Sequence, residues 1–335
     1  MNLVLRRMFA MVPALVGVVV CIFVLTRVLP GDPARTLAGD QADPSVVERI
    51  RADMGLDQPL HLQLVRYFAD LLHGDLGFAW HTGHSVASDF ASRLPATVEL
   101  ALAALFLSIL IGVPIGIVSA TRRDRPVDHV SRVFSLLGAS MPLFWLGLMV
   151  IVVFYNQLGW APAPLGRVAQ GVNPPTQITG LYVLDSLLTG DTVALRSSLS
   201  HIIWPALCLA TGSTAILARM TRSAMLEVIG QDYVRTAVSK GLKPAVVTFK
   251  HALKNAAPVI VTVTGLQFGQ LMGGAVITET VFTWPGIGSY VVQSVLATDY
   301  APVQAFTLLA AVVYLAANLI VDLVNARLDP RIADA

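Results

Sequence analysis

Six stretches of this chain run without a Lys, Arg, Asp or Glu: 8–26, 100–120, 133–158, 197–218, 256–278 and 301–321. Each is about as long as the 20 residues that a helix needs to cross a bilayer. Inside lipid every backbone amide must be paired internally, so such runs predict helices. The polar stretches between them are patterned too. In the outer segment from 30 to 93, positions 46–54 and 60–72 carry apolar residues at helical spacing, bounded by turn clusters such as Ala42-Asp43-Pro44. That predicts a small ordered cap. The segment 159–196 is richer in Gly and Pro and carries one helical pattern near 181–188.

The segment 219–255 departs most from a simple connection. It holds seven Lys/Arg against two acids, Glu227 and Asp232. Asp232 is placed to cap a short helix whose Tyr233 and Ala237 share a face, and Gly241 stands where that helix should stop. Pro244 suits the first turn of a second helix, with Val246, Phe249 and Leu253 spaced along it. Two amphipathic helices between two spans read as a docking surface.

Composition agrees with a membrane protein. Hydrophobic residues make up 55% of the chain and charged ones only 13%, against about 25% charged in soluble domains. The first run, 8–26, is too long for a signal peptide and lacks a small-residue cleavage site, so it reads as a retained span. Arg27, at its outer end, is expected to snorkel toward the headgroups. With the N-terminus inside, the cytoplasmic pieces hold 15 Lys/Arg and the outer pieces 7, so both termini are expected in the cytoplasm. Cys21 and Cys208 fall inside spans and read as buried apolar residues.

The chemistry visible along the chain is sparse. There is no phosphate-cradling glycine loop followed by Lys, and no nucleophile elbow or zinc-protease motif. The spans lack the mid-membrane carboxylates of an ion-coupled carrier. Gln267 and Gln270 of the fifth run suit the lining of a wet passage, and Gly265, Gly269 and Gly273 form a stripe for close helix approach. His73, His81 and His84 cluster in the outer cap, where incidental exposure is the expectation; no metal site is predicted. A six-span protein with a dock and no energy source is either a channel or a subunit driven by a partner.

The residues Gln231-Asp232-Tyr233-Val234-Arg235-Thr236-Ala237-Val238-Ser239-Lys240-Gly241-Leu242 resemble the coupling loop of membrane subunits of ATP-binding-cassette importers, in the dipeptide/oligopeptide/nickel permease group. The generic loop begins Glu-Ala-Ala; Arg235-Thr236-Ala237 and Gly241 hold those positions here, as in the peptide-permease variant. Leu29-Pro30-Gly31-Asp32-Pro33, Gly55-Leu56-Asp57-Gln58-Pro59 and Arg93-Leu94-Pro95-Ala96-Thr97 resemble the outer region of the first of the two permease subunits. Glu279-Thr280-Val281-Phe282-Thr283-Trp284-Pro285-Gly286 and Asn325-Ala326-Arg327-Leu328-Asp329-Pro330-Arg331 extend the likeness to the end of the chain.

The resemblance implies the all-α transmembrane domain of a type I importer, with a first helix at 1–29, a periplasmic segment at 30–96 and a permease core at 97–335. It implies a multi-pass protein of the bacterial inner membrane that works with a sister permease, two ATP-binding subunits and an extracytoplasmic binding protein. The chain itself then holds no cofactor, ATP and Mg being bound by the ATPases. Tyr233, Val234, Thr236 and Ala237 would fill the ATPase cleft, with Arg235 and Lys240 pairing acids there. Glu279, Trp284, Pro285 and Gly286 would form an outer gate or a binding-protein contact, or else an interfacial anchor and turn. Di- or oligopeptides are the implied cargo, with nickel or another small solute as the alternative and a channel or secondary carrier as the reading from another class.

Overall fold

The computed structural model describes residues 3–28, 32–39 and 42–328. The Leu29-Pro30-Gly31 and Asp329-Pro330-Arg331 parts of the motifs above lie outside those residues. The described chain is almost wholly helical. A first span α1 (Leu3–Val28) leads into three short cap helices, α2 (Pro33–Ala38), α3 (Pro44–Asp53) and α4 (Leu60–Leu72). A two-residue hairpin follows, β1 (Phe78–Ala79) paired antiparallel with β2 (His84–Ser85). Then come α5 (Val86–Thr121), α6 (Pro126–Ser140), α7 (Leu143–Val150), α8 (Tyr182–Thr189) and α9 (Thr192–Ile229). The chain continues through α10 (Asp232–Ser239), α11 (Pro244–Val246), α12 (Leu253–Val281), α13 (Ile287–Leu296) and α14 (Tyr300–Leu328).

Five of these helices are long and apolar enough to span a membrane, and a bent pair makes a sixth where the two halves count as one span. The run 133–158 is that exception. It reads as one straight span but is bent by 101° between α6 and the helix formed by α7 and its π-helical continuation to Gln157. Met141 precedes Pro142 and adopts ψ 127, because the proline ring excludes the helical region for the residue before it. The prolines inside α1, α5, α9 and α12 do not end their helices.

α9 is the centre of the bundle. Of its apolar window 61% is buried, against 11% for α14. Its main partner is α5, and the two share a core of Ala96, Leu100, Ala101 and Ala104 with Ile202, Ala206, Leu209 and Ala210. The alanines bring the backbones close, and Gly112 and Gly116 bring them closer. A Cβ on Gly112 would sit 2.9 Å from the Thr214 carbonyl, and one on Gly116 2.6 Å from that of Ala218. Gly116→Leu should therefore push α5 off α9 and cost about 1–3 kcal/mol, read as earlier thermal unfolding in detergent; an unchanged transition would show that the pair tolerates separation.

The glycine stripe on α12 divides between two roles. Gly265 and Gly269 accept Val321 and Tyr314 of α14, whereas Gly273 faces open space. Helices α3 and α4 lie where the apolar spacing of 46–54 and 60–72 predicts them. Arg27 does not snorkel freely: its Nε donates to Gln63 Oε1 of α4 at 2.9 Å, and the guanidinium lies over Phe23. Cys208 is buried but Cys21 is exposed, which corrects the expectation that both are interior.

Candidate functional site

At one end of the bundle the segment 219–255 is built from the ends of long helices. α9 carries Arg219 and Arg222 and runs on to Ile229. Past Gly241, whose φ of 72° suits only a residue free of a Cβ clash, α11 passes through a π-helical turn at Val247–Ala252 straight into α12. The second helix of the loop is thus the beginning of the fifth span. Between these extensions sits α10 alone. Gln231 occupies its N-cap position without a side-chain bond, so Asp232 does not cap the helix. Asp232 lies instead in the first turn, where its charge faces the helix's positive end.

The faces of α10 differ from the expected ones. Val234 is 3% exposed and packs with Ala237, Val247 and Val228, which anchors α10 to the foot of α12. Neither Val234 nor Ala237 is available to fill a partner's cleft. Tyr233, 43% exposed, Arg235, Thr236 and Lys240 remain on the outside. Phe249, on the π-helical turn, is also exposed instead of lying on the packed face. The result is a short, stiffly mounted helix that offers an aromatic ring and two cations.

A polar clamp braces the same end. Asp128 of α6 is fully buried. Its carboxylate accepts from Arg222 Nε and Nη2 of α9 at 2.7 and 2.8 Å, from Ser119 Oγ of α5 at 2.5 Å and from the Asp124 amide at 3.1 Å. Bidentate pairing of this kind fixes direction as well as distance. Three helices meet on one carboxylate, and the sequence pattern did not single it out. The only advance signal is a pair of acids in an otherwise basic stretch, Arg122-Arg123-Asp124-Arg125-Pro126-Val127-Asp128.

The opposite end is knit by buried acids. Glu279, at the end of α12, accepts from Thr97 Oγ1 at 2.6 Å and from the Ser289 amide at 2.9 Å. The Trp284 indole, 2% exposed, donates to the Ala96 carbonyl at 2.9 Å. Gly286 lies tight against the Glu279 carboxylate, with no room for a side chain. Glu279, Trp284 and Gly286 therefore form the joint between α5, α12 and α13. They are neither a surface for a delivering protein nor an interfacial anchor, and Pro285 alone of the four is exposed.

Glu99 pairs with Arg167, which also donates to the Gly180 carbonyl at 2.9 Å and lies over the Tyr182 ring at 3.5 Å. These contacts fold the segment 159–191 down onto α5. Asp185 stitches that segment internally, accepting from the amides of Ile178, Thr179 and Gly180 and from the Thr179 hydroxyl. Burial pushes its carboxyl up, but the hydrogen bonds outweigh it and hold it below the ordinary carboxylate value. A lowered folded-state value means stability that is present above the unfolded value and lost as pH falls through the folded one. Protection of the Ile178, Thr179 and Gly180 amides against hydrogen exchange should fall in acid, and Asp185→Asn should remove that pH dependence. Acid loss that persists in Asp185→Asn would place its source elsewhere.

Between the two ends Gln267 donates to Gln270 at 3.0 Å, and both line a cleft of about 200 Å³ with Thr211, Ser213 and Gly274. The three outer histidines do not converge. His81 pairs with Asp299 at 2.9 Å, His84 stands 3.8 Å from Asp89, and His73 bonds the Ala69 carbonyl. Among the described residues no three His, Cys, Asp or Glu side chains gather as metal ligands would.

Comparison with known proteins agrees with this architecture. Residues 112–334 match the family model of the binding-protein-dependent transport system inner membrane component, and residues 1–101 match the model of the N-terminal part of such components. The chain is 47% identical to the probable D,D-dipeptide transport system permease protein DdpB of Escherichia coli K12, over 98% of this chain and 96% of the relative. It is 42% identical to the dipeptide transport system permease protein DppB of Alkalihalophilus pseudofirmus, over 98% of both chains. A solved chain of the inward-facing MetNI methionine ABC transporter aligns with a TM-score of 0.50 at 17% identity, over 69% of this chain and 94% of its own. That likeness is one of fold, the transmembrane domain of a type I importer. The chain belongs to the family of inner membrane components of binding-protein-dependent transport systems and is a multi-pass protein of the bacterial inner membrane.

Proposed function

We propose that this chain is one of two permease subunits of an ATP-driven importer of dipeptides and short oligopeptides. The observation that carries the reading is the match along nearly the whole chain to permeases named for D,D-dipeptide and dipeptide transport. None of the relatives compared above is named for nickel, so peptide is the favoured cargo. A sister permease completes the pathway, an extracytoplasmic binding protein delivers the peptide, and two cytoplasmic ATPases bind ATP and Mg and hydrolyse the nucleotide. Both termini and α10 face the cytoplasm, in keeping with the excess of Lys/Arg on that side.

In this reading α10 is the part gripped by an ATPase. Tyr233, Arg235, Thr236 and Lys240 make the contact, while Val234 and Ala237 hold the helix on α12. Movement of the ATPases is passed on as a rigid-body shift, because α10 is fixed to the foot of one span and follows another within two residues. Gln267 and Gln270 offer weak hydrogen bonds to a peptide in transit. Glu279, Trp284 and Gly286 serve the outer gate as its joint, not as its contact surface.

A strain that requires one amino acid and receives it only as a dipeptide tests the cargo. Growth should depend on this chain when its partner subunits are present, and growth limited by nickel should not. Dependence for nickel and not for dipeptide would overturn the peptide assignment.

A further inference from the structure

Below the outer cap, where α1 ends and α14 begins, lies a pocket of about 210 Å³ whose wall includes Arg27, Phe78, Trp80, Asp299, Tyr300 and Gln304. Two opposite charges, a hydroxyl and two aromatic rings share one small space. Asp299 is 4% exposed. Its Oδ2 accepts from the His81 amide at 3.2 Å and meets His81 Nδ1 at 2.9 Å. Its Oδ1 is buried and has no hydrogen-bond partner among the described residues, and the Tyr300 hydroxyl is in the same position. Buried polar atoms are costly to leave unmet, so the presence of two together calls for a hydrogen-bonding occupant in the pocket. Gln304 spends one of its two amide hydrogens on Thr26 Oγ1 at 2.6 Å and makes no bond to Asp299 Oδ1 or the Tyr300 hydroxyl.

The place narrows what the donor is. α14 is the least buried of the spans and α1 comes next, level with α12, so the pocket lies at a weakly covered edge of this chain and shares no lining residue with the cleft that holds Gln267 and Gln270. Phe78 and Trp80 are exposed and meet edge to face at 5.2 Å, in the manner of an interfacial aromatic belt. Leu25 and Val28, one turn or less from the pocket along α1, are exposed apolar side chains against which acyl chains can lie. An occupant here needs a cationic N–H donor for Asp299 and Tyr300, which Trp80 also favours through its ring face. It needs an anion for Arg27, whose guanidinium has five donors, one of which serves Gln63.

We infer that this pocket holds the headgroup of an aminophospholipid such as phosphatidylethanolamine. The primary ammonium donates to Asp299 Oδ1 and is shared with the Tyr300 hydroxyl, the phosphate meets Arg27, and the acyl chains lie along α1. Phosphatidylcholine has the charge but no N–H, and phosphatidylglycerol has no cation, so neither satisfies Asp299. The lipid would fasten the cap to the first and last spans.

The test uses the full chain, delipidated in detergent and titrated with phosphatidylethanolamine, phosphatidylcholine or phosphatidylglycerol of matched acyl chains, with bound lipid counted by native mass spectrometry. Phosphatidylethanolamine should bind about tenfold more tightly than either other lipid. Asp299→Asn should abolish that preference, and Tyr300→Phe, which keeps the ring and so the fold, should reduce it. Equal binding of the three lipids by the native chain would overturn the inference, as would a preference untouched in Tyr300→Phe and Asp299→Asn. Displacement of bound phosphatidylethanolamine by a soluble dipeptide would also overturn it, since the pocket would then be a site for free zwitterions.

Discussion

Arg222→Met should destabilise the protein by about 3–5 kcal/mol, the usual cost of removing one partner from a buried ion pair. The size follows from Asp128, which is fully buried with Arg222 over it. Without the guanidinium it keeps Ser119 and the Asp124 amide as donors and the more distant Arg132 at 3.8 Å, but loses both bonds to α9. The remedy is as diagnostic as the injury. Asp128→Leu combined with Arg222→Met removes the charge together with its partner, and most of the loss should return, because a matched apolar pair is often no worse than the ion pair it replaces. Equilibrium unfolding in mixed micelles of the two single variants and the double variant gives the coupling directly. A loss below about 1 kcal/mol for Arg222→Met would mean that water reaches the carboxylate and that the clamp is a surface pair. Uptake should fall with stability, since the clamp fixes α9 a few residues before α10 begins.

Tyr233→Ala should fail in the opposite manner. The residue is 43% exposed and is not a member of the buried cluster that holds α10, so thermal unfolding should be little changed. If an ATPase grips α10, an aromatic anchor of this kind contributes about 2 kcal/mol to the contact. The ATPase subunits should then bind about thirtyfold more weakly. Uptake should drop while membrane insertion stays normal. Ala237→Glu makes the contrast, because it places a charge among Val234, Val247 and Val228 and loosens α10 itself. Full uptake and full ATPase binding in Tyr233→Ala would remove this face of α10 from the coupling contact.

Much of the architecture is legible in the chain because lipid imposes a strong and local code. An uncharged run of span length has few alternatives, and five of the six runs coincide with helices long and apolar enough to cross, the sixth with the bent pair. The bend at Met141 was not legible. A proline inside a span usually leaves the helix intact, as Pro95, Pro114, Pro205 and Pro258 do, and nothing local separates Pro142 from them. Around α10 the punctuation was readable from Gly241, but the buried face was not. Tyr233 and Ala237 share one stripe and Val234 and Ala237 another, and only the position of Val247 chooses between them.

The polar clamps were the least visible. Asp128 and Arg222 are 94 residues apart, and Trp284 and Ala96 are 188 apart. Pairings of that separation leave no periodic trace, so Asp128 reads as one of two acids in a basic stretch and Trp284 as a gate or binding-protein contact or else an interfacial anchor. Burial gives each its role. Glu279, expected at an outer gate or binding-protein contact, is found inside the joint bonded to Thr97, and Glu99, given no role by its pattern, pairs with Arg167.

The central claim is that this chain passes peptide only when a partner hydrolyses ATP. Proteoliposomes holding the chain with its sister permease and ATPase subunits, ATP inside and loaded binding protein outside, put it to a direct test. Labelled dipeptide should accumulate against its gradient with ATP and stay outside without it. Entry that proceeds equally without ATP, or through this chain alone, would contradict the account.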